Sequence, residues 1–294
     1  MIGSGKSFYI WQHIFLGLLA LVCIFPFLIL AASSFTAESS LVRNGYSLFP
    51  EVWSLESYSY LFRGSNSILR AYGITVLVTV FGTALGLIMT TLMAYALSVP
   101  DLPLKSFFSF FVFFTMLFNG GLVPSYIMWT TTFNITNTVS ALIFPRILVS
   151  AFNIIIMRTY FQTNIPQSVL EASRIDGAKE WRIFNRIVLP MSVPIIATIG
   201  LMIGITYWND WLNGLYYVTD SKLFSIQNML NRMLKDIQFL QNSLTGMDNL
   251  DTSKLPSSGV KMAVAMMGAV PLMVVFPFFQ KYYVKGLTIG ALKG

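Results

Sequence analysis

The stretch PQSVLEASRIDGAKEWRIFNRIVLP (residues 166–190) is a charged tract set between long runs that carry almost no charge. Pro166 suits the opening of a helix, and Gly177 permits the left-handed residue that ends one. Beyond the glycine, Trp181, Phe184, Ile187 and Val188 recur near i, i+3 spacing as an apolar face, while Arg182 and Arg186 stand one turn apart on another. Pro190 and Pro194 then lead back into apolar sequence. The segment reads as a polar helix, a glycine break and a basic amphipathic helix. Two readings fit such a hairpin: a docking element for a partner, or an amphipathic lid on a lipid surface.

The surrounding composition is that of a membrane protein. Of 294 residues, 55% are hydrophobic and 11% charged, where an ordinary globular chain carries about 25% charged residues. A mean hydropathy of +0.68 agrees. The single cysteine, Cys23, excludes an intramolecular disulfide framework and a cysteine metal site. His13 is the single histidine, so no metal centre is expected. Gly5-Lys6-Ser7 ends like a phosphate-binding loop, but that motif needs a glycine five positions before Gly5, and the sequence supplies none. No nucleophile–base set or paired carboxylate arrangement points to an enzyme acting alone.

A helix needs about 20 apolar residues to cross the hydrocarbon core. The first such run is expected at 11–32. Its 19 residues from Ile14 to Ala32 exceed the roughly 7–15 of a signal-peptide core, which favours a retained span. The second falls within 71–100, which holds no charge. The 40 uncharged residues between Lys105 and Arg146 are too many for one helix. TTTFNITNT (130–138) divides them into spans near 106–129 and 139–160. A fifth span is expected from Pro190 to about Trp211 and a sixth from about Met262 to Phe279. The expected fold is all-α, with six transmembrane helices and both termini on one side. With the N-terminus inside, inner segments carry ten bases against four acids and outer segments eight against seven. The positive-inside bias therefore makes both termini and the 166–190 hairpin cytoplasmic, and the basic balance needs no nucleic-acid partner. The organisation is 1–70, first helix and outer loop; 71–280, a five-helix core with its inner loop at 162–190 and an outer loop at 216–260; and 281–294, a cytoplasmic tail. Within 216–260, FSIQNMLNRMLKDIQFL has helical periodicity.

The hairpin also resembles a known family. Glu171-Ala172-Ser173, then Gly177, then Ile187-Val188-Leu189-Pro190 are similar to the EAA loop of ABC importer permeases, with Ser173 in place of the third small residue. Asp176-Gly177-Ala178 resembles the version found among carbohydrate permeases. The tail FPFFQKYYVKGLTIGALKG (276–294) and WNDWLNGLYY (208–217) are similar to the maltose-G-like second subunit of the maltose-type group. FNGGLVPSY (118–126) is similar to its polysaccharide-fragment branch.

The resemblance implies a permease subunit in the bacterial cytoplasmic membrane, paired with a second permease and two ATPase subunits and supplied by an extracytoplasmic binding protein. It implies carbohydrate, an oligosaccharide, as cargo, with ATP and Mg held by the ATPases and no cofactor on this chain. Glu171, Ala172, Ser173, Asp176, Gly177 and Ala178 would then form the coupling helix, with Glu171 paired to a basic residue of the ATPase. Asp176 would hold the turn, since a carboxylate beside a glycine break accepts backbone N–H bonds. In the tail, Lys285, Gly290, Lys293 and Gly294 would approach the ATPase interface. Trp208, Asn209, Asp210 and Trp211 offer sugar-binding chemistry, a contact with the external binding protein, an aromatic belt or a helix end; in the maltose prototype the partner permease holds the sugar. Arg146, the one base inside an expected span, reads as a cavity-lining group, a partner's ion-pair mate or a side chain snorkelling near the span's end, and Pro145 before it is able to break the span locally. Two other classes remain open: an importer of a non-sugar solute, and an ion-coupled secondary transporter. The latter is disfavoured by the lack of intramembrane acids and of internal repeats.

Overall fold

Apolar runs in lipid leave backbone N–H and C=O groups one local solution, the helix, and helices dominate this chain. The computed structural model describes residues 6–63, 65–145, 148–244 and 258–291. Among them no β-strand occurs, apart from an isolated antiparallel bridge between Thr36 and Trp53. The elements are α1 (Lys6–Ser34), α2 (Glu38–Asn44), α3 (Glu56–Phe62), α4 (Ser65–Ser98), α5 (Lys105–Leu117), α6 (Leu122–Ile127) with a π-turn at Met128–Thr132, α7 (Ser140–Ile143), α8 (Ala151–Asn164) and α9 (Gln167–Ile175). There follow α10 (Glu180–Ile183), a second π-turn at Phe184–Val188, α11 (Leu189–Met191), α12 (Val193–Trp208), α13 (Leu212–Tyr217), α14 (Ile226–Leu244) and α15 (Ser258–Ala291). They fall into two compact units, Met1–Ile68 with Leu230–Pro271 and Leu69–Met229 with Leu272–Gly294.

Among the described residues three helices are long and apolar enough to cross a bilayer: Phe8–Ser34, Asn66–Ser98 and Ser258–Phe278. Two further candidates are bent pairs, Lys105–Leu117 with Leu122–Thr132 at 112° and Glu180–Met191 with Val193–Trp208 at 82°. The chain is thus polytopic, but two expected spans are not single helices. The run expected at 106–129 breaks at Phe118–Gly121. There Gly121 adopts φ +89 and donates its N–H to Asn119 Oδ1 at 2.9 Å, a turn that ends α5. The run expected at 139–160 gives only α7 before the helix breaks, and α8 starts afresh at Ala151.

In the first unit, the chain after α1 folds back through α2 and α3. Tyr58 donates its hydroxyl to Ser34 Oγ at 2.9 Å. The buried Glu38 carboxylate accepts the N–H groups of Ser258 (2.9 Å) and Gly259 (2.8 Å). It thereby satisfies donors that the first turn of α15 leaves open, where a negative charge also suits the helix dipole. A Cβ at Gly259 would run into Ser57 Oγ and stand 3.2 Å from Glu38 Oε2, so only glycine fits.

In the second unit, the core joins α8, α12 and the hairpin helix through Ile154, Met157, Phe161, Ile183, Val188, Ile199 and Ile203, all buried. α4 meets α12 through glycines. Gly82 and Gly86 are four apart, as are Gly200 and Gly204, a spacing that lets membrane helices approach closely. A Cβ at Gly82 would fall 2.5 Å from the Tyr207 ring, and one at Gly86 would fall 2.8 Å from the Leu148 carbonyl. That closeness lets Tyr207 cross to α7 and donate its hydroxyl to Ile143 O at 2.8 Å. Asn213 likewise donates to Pro145 O at 2.9 Å. These two bonds satisfy carbonyls that the broken helix would otherwise leave open, so the break between α7 and α8 is held by built-in donors.

Candidate functional site

The 166–191 segment forms the hairpin expected from its sequence. Pro166 precedes α9, and Gly177 takes φ +78. Ala178 N–H donates to Ser173 O and Gly177 N–H to Arg174 O, both at 3.0 Å. These are the paired 6→1 and 5→2 bonds of a Schellman helix end, which requires the left-handed residue at Gly177. Nothing lies within 4 Å of a Cβ built there, so a side chain would be strained by backbone conformation rather than by crowding within this chain. Ser173 donates its hydroxyl back to Val169 O at 2.7 Å, and so stays small and self-satisfied on the helix surface.

One expectation for the hairpin is corrected. The Asp176 carboxylate makes no hydrogen bond to a described residue; the turn is held by backbone, with Asp176 N–H donating to Ala172 O at 2.9 Å. Trp181 shares a face with Phe184, their rings 5.7 Å apart, but is 66% exposed; the buried part of the apolar face consists of Ile183, Phe184 and Val188, with Ile187 partly buried. The π-turn shifts this register. Leu189 N–H donates to Phe184 O, and Pro190, lacking an N–H, follows at once.

The outer surface of the hairpin is unpartnered. Glu171, Ala172, Asp176 and Gly177 are exposed and Ser173 and Ala178 half-buried. Ile175 is 86% exposed. An isoleucine standing clear beside free carboxylates on a rigid turn is suited to burial against another surface. Sequence reading passed over Ile175, although an apolar residue at the tip of a charged hairpin was a visible sign.

A clamp that the sequence did not disclose fixes the hairpin to α4. Glu180 pairs with Arg174 at 2.9 Å and accepts the Tyr95 hydroxyl. The hydrogen bond from Arg174, and after it that from Tyr95, holds Glu180 below the usual carboxylate range. Lys105 Nζ donates to Val99 O at 2.9 Å, covering a carbonyl just beyond the end of α4.

The W-N-D-W stretch uses its polar groups internally. α12 ends at Trp208, three residues before the expected end, and Asp210 Oδ1 accepts the N–H groups of Leu212 (3.2 Å) and Asn213 (3.3 Å) at the start of α13. The Asn209 amide donates to Ile205 O at 3.0 Å. Asn228 donates to Trp211 O at 3.1 Å, and the Trp208 ring lies 6.5 Å from that of Tyr72. The helix-end reading of Asp210 fits these contacts. Lys285 and Gly290 fall on α15. Arg146, Lys293 and Gly294 lie outside the described residues. Among the described residues no group of three or more metal-ligating side chains occurs.

Comparison with known proteins adds a family. Residues 71–289 match the family described as binding-protein-dependent transport system inner membrane component. The chain is 38% identical over 280 residues to the polygalacturonan/rhamnogalacturonan transport system permease protein YtcP of Bacillus subtilis (strain 168), covering 95% of this chain and 96% of that one. It is 34% identical over 293 residues to the protein LplC of the same organism, covering 99% and 96%. Among solved structures, a chain of a bacterial ABC transporter involved in the import of the acidic polysaccharide alginate superimposes with a TM-score of 0.79 at 26% identity, covering 96% and 99%.

Proposed function

The chain belongs to the binding-protein-dependent transport system inner membrane component family, and from that premise we propose that it is a permease subunit of an ATP-driven importer carrying a carbohydrate, an oligosaccharide, across the cytoplasmic membrane. Relatives named for polygalacturonan/rhamnogalacturonan and for arabinooligosaccharides support the cargo class. The observation that carries the mechanism is the unpartnered hairpin surface, with Glu171 and Asp176 free and Ile175 almost fully exposed. On this reading the surface seats in an ATPase subunit that holds ATP and Mg. A second permease completes the pore, and a binding protein delivers cargo from outside.

Six spans with both termini cytoplasmic complete the proposal: α1, α4, the bent α5–α6 pair, the broken α7–α8 pair, α12 and α15. The hairpin is then the inner loop between the fourth and fifth. Its clamp through Glu180 and Tyr95 to α4 gives a rigid path by which closure of the ATPases tilts the core helices. Lys285, Gly290, Lys293 and Gly294 belong to a tail directed at the ATPase interface.

The test is uptake into proteoliposomes by the complex purified with its chromosomal neighbours. The proposal predicts saccharide accumulation that requires ATP and the binding protein. Uptake driven by an ion gradient, without ATPase subunits, would overturn it.

A further inference from the structure

The break between α7 and α8 leaves a cavity whose chemistry is more specific than a general sugar path. It measures about 480 Å³ and lies between the start of α8 (Ser150, Phe152, Asn153) and the outer half of α12, where Ile203 and Thr206 face it. Cavities of a few hundred Å³ are the usual size for small-molecule sites. At about 1.5 Å per residue, Met202 to Thr206 stand about 14–20 Å along α12 from Val193. That is membrane depth, where a polar group without a partner is costly.

Asn153 is such a group. It is 8% exposed and lines the cavity, yet its amide makes no hydrogen bond to any described residue. Beside it, α8 begins with Ser150 in an extended conformation and without a side-chain cap. The first-turn N–H groups of Ala151, Phe152 and Asn153 therefore lack acceptors inside the helix. A helix N-terminus offers N–H donors and a partial positive charge to an anion, and discontinuous membrane helices use such ends for anionic parts of substrates. Among the described residues the cavity lining contains no acid and no base. Its donors suit a single negative charge flanked by hydroxyls better than a doubly charged phosphate, which calls for cationic side chains. Phe152, half exposed, gives an apolar face for a sugar ring.

We propose that this cavity is a carboxylate subsite for a uronate unit of the transported saccharide, with the Asn153 amide and the open end of α8 as its donors. The proposal rests on the carbohydrate reading above and adds the charge of the cargo and its place on this chain. Thr206, exposed at the cavity edge, donates to Met202 O at 2.8 Å and keeps its oxygen available to a sugar hydroxyl.

The test compares ATP-driven uptake of trigalacturonate with that of the same trisaccharide after reduction of its carboxyls, using the whole complex in phosphatidylcholine vesicles. Wild-type complex should take up the acidic sugar at least ten-fold faster at limiting concentration. Asn153→Asp places a like charge at the subsite and should lower the acidic-to-neutral uptake ratio at least ten-fold. Thr206→Glu adds a negative charge at the cavity edge and should lower the ratio in the same direction. A ratio unchanged in both variants would overturn the subsite, because a structural defect slows both sugars alike. Wild-type uptake of the neutral sugar alone would overturn the subsite and leave the carbohydrate reading standing. Uptake of neither sugar would overturn the uronate subsite, while the carbohydrate reading stands or falls by the uptake test given above.

Discussion

Two segments of this chain, the hairpin tip at 171–178 and the turn at 208–213, each carry a carboxylate beside a helix end but differ in where their polar groups go. In the turn, Asp210 accepts two backbone N–H groups and Asn209 bonds its own helix, so these polar groups are engaged within the fold. In the hairpin the turn is closed by backbone alone, leaving Glu171 and Asp176 free and Ile175 bare. A carboxylate that caps a helix serves the chain itself; one held out on a rigid turn is open to a partner. The accounting of hydrogen bonds, rather than residue type, separates structural polarity from docking polarity.

The comparison can be broken in several places. Glu171→Arg should have the largest effect. On the docking reading it reverses one partner of a buried charge pair, a loss of roughly 3–5 kcal/mol. Transport measured in proteoliposomes should fall at least 100-fold while the detergent-solubilised chain unfolds at an unchanged temperature. Gly82→Ala comes next. Its Cβ would stand 2.5 Å from the Tyr207 ring, and overpacking of this kind costs about 1–3 kcal/mol. A thermal unfolding scan should show the loss, and an unshifted transition would mean that the α4–α12 contact is loose. Asp210→Ala should cost about 1 kcal/mol as a lost helix cap, seen in the same scan, and should leave ATPase binding intact.

The smallest effect belongs to the clamp. Glu180 is held below the ordinary carboxylate value of about 4.3 by Arg174 first and Tyr95 second. Its contribution is therefore complete above the ordinary value and lost only as pH falls through the depressed one. The pair is substantially exposed, so Glu180→Gln should cost less than about 1 kcal/mol. Tryptic cleavage between Arg174 and Lys179 should nonetheless accelerate. In the wild type that cleavage should not change between pH 7 and pH 5 after correction for protease activity.

What the sequence disclosed follows from how local each signal is. The hairpin was legible because Pro166, Gly177 and Pro190 act through their own backbone, and the left-handed residue fell at Gly177. The amphipathic stretch after Ser225 was legible for the same reason and forms α14. The break between α7 and α8 was legible only in part. Pro145 marks a place where a helix can stop, but the carbonyls there are satisfied by Tyr207 and Asn213, more than 60 residues away, and no local signal shows that distant donors take over. The glycine pairs 82/86 and 200/204 were visible as spacing, but their meaning needed the facing helix. Asn153 stayed hidden in an apolar context, and its importance comes from the partner it lacks.

The most direct measurement is retention of the ATPase subunits on the tagged chain after detergent extraction, for wild type, Glu171→Arg and Asp210→Ala side by side. Wild type and Asp210→Ala should retain them and Glu171→Arg should not. Retention by Glu171→Arg, or loss confined to Asp210→Ala, would place the docking surface outside the hairpin and contradict the account.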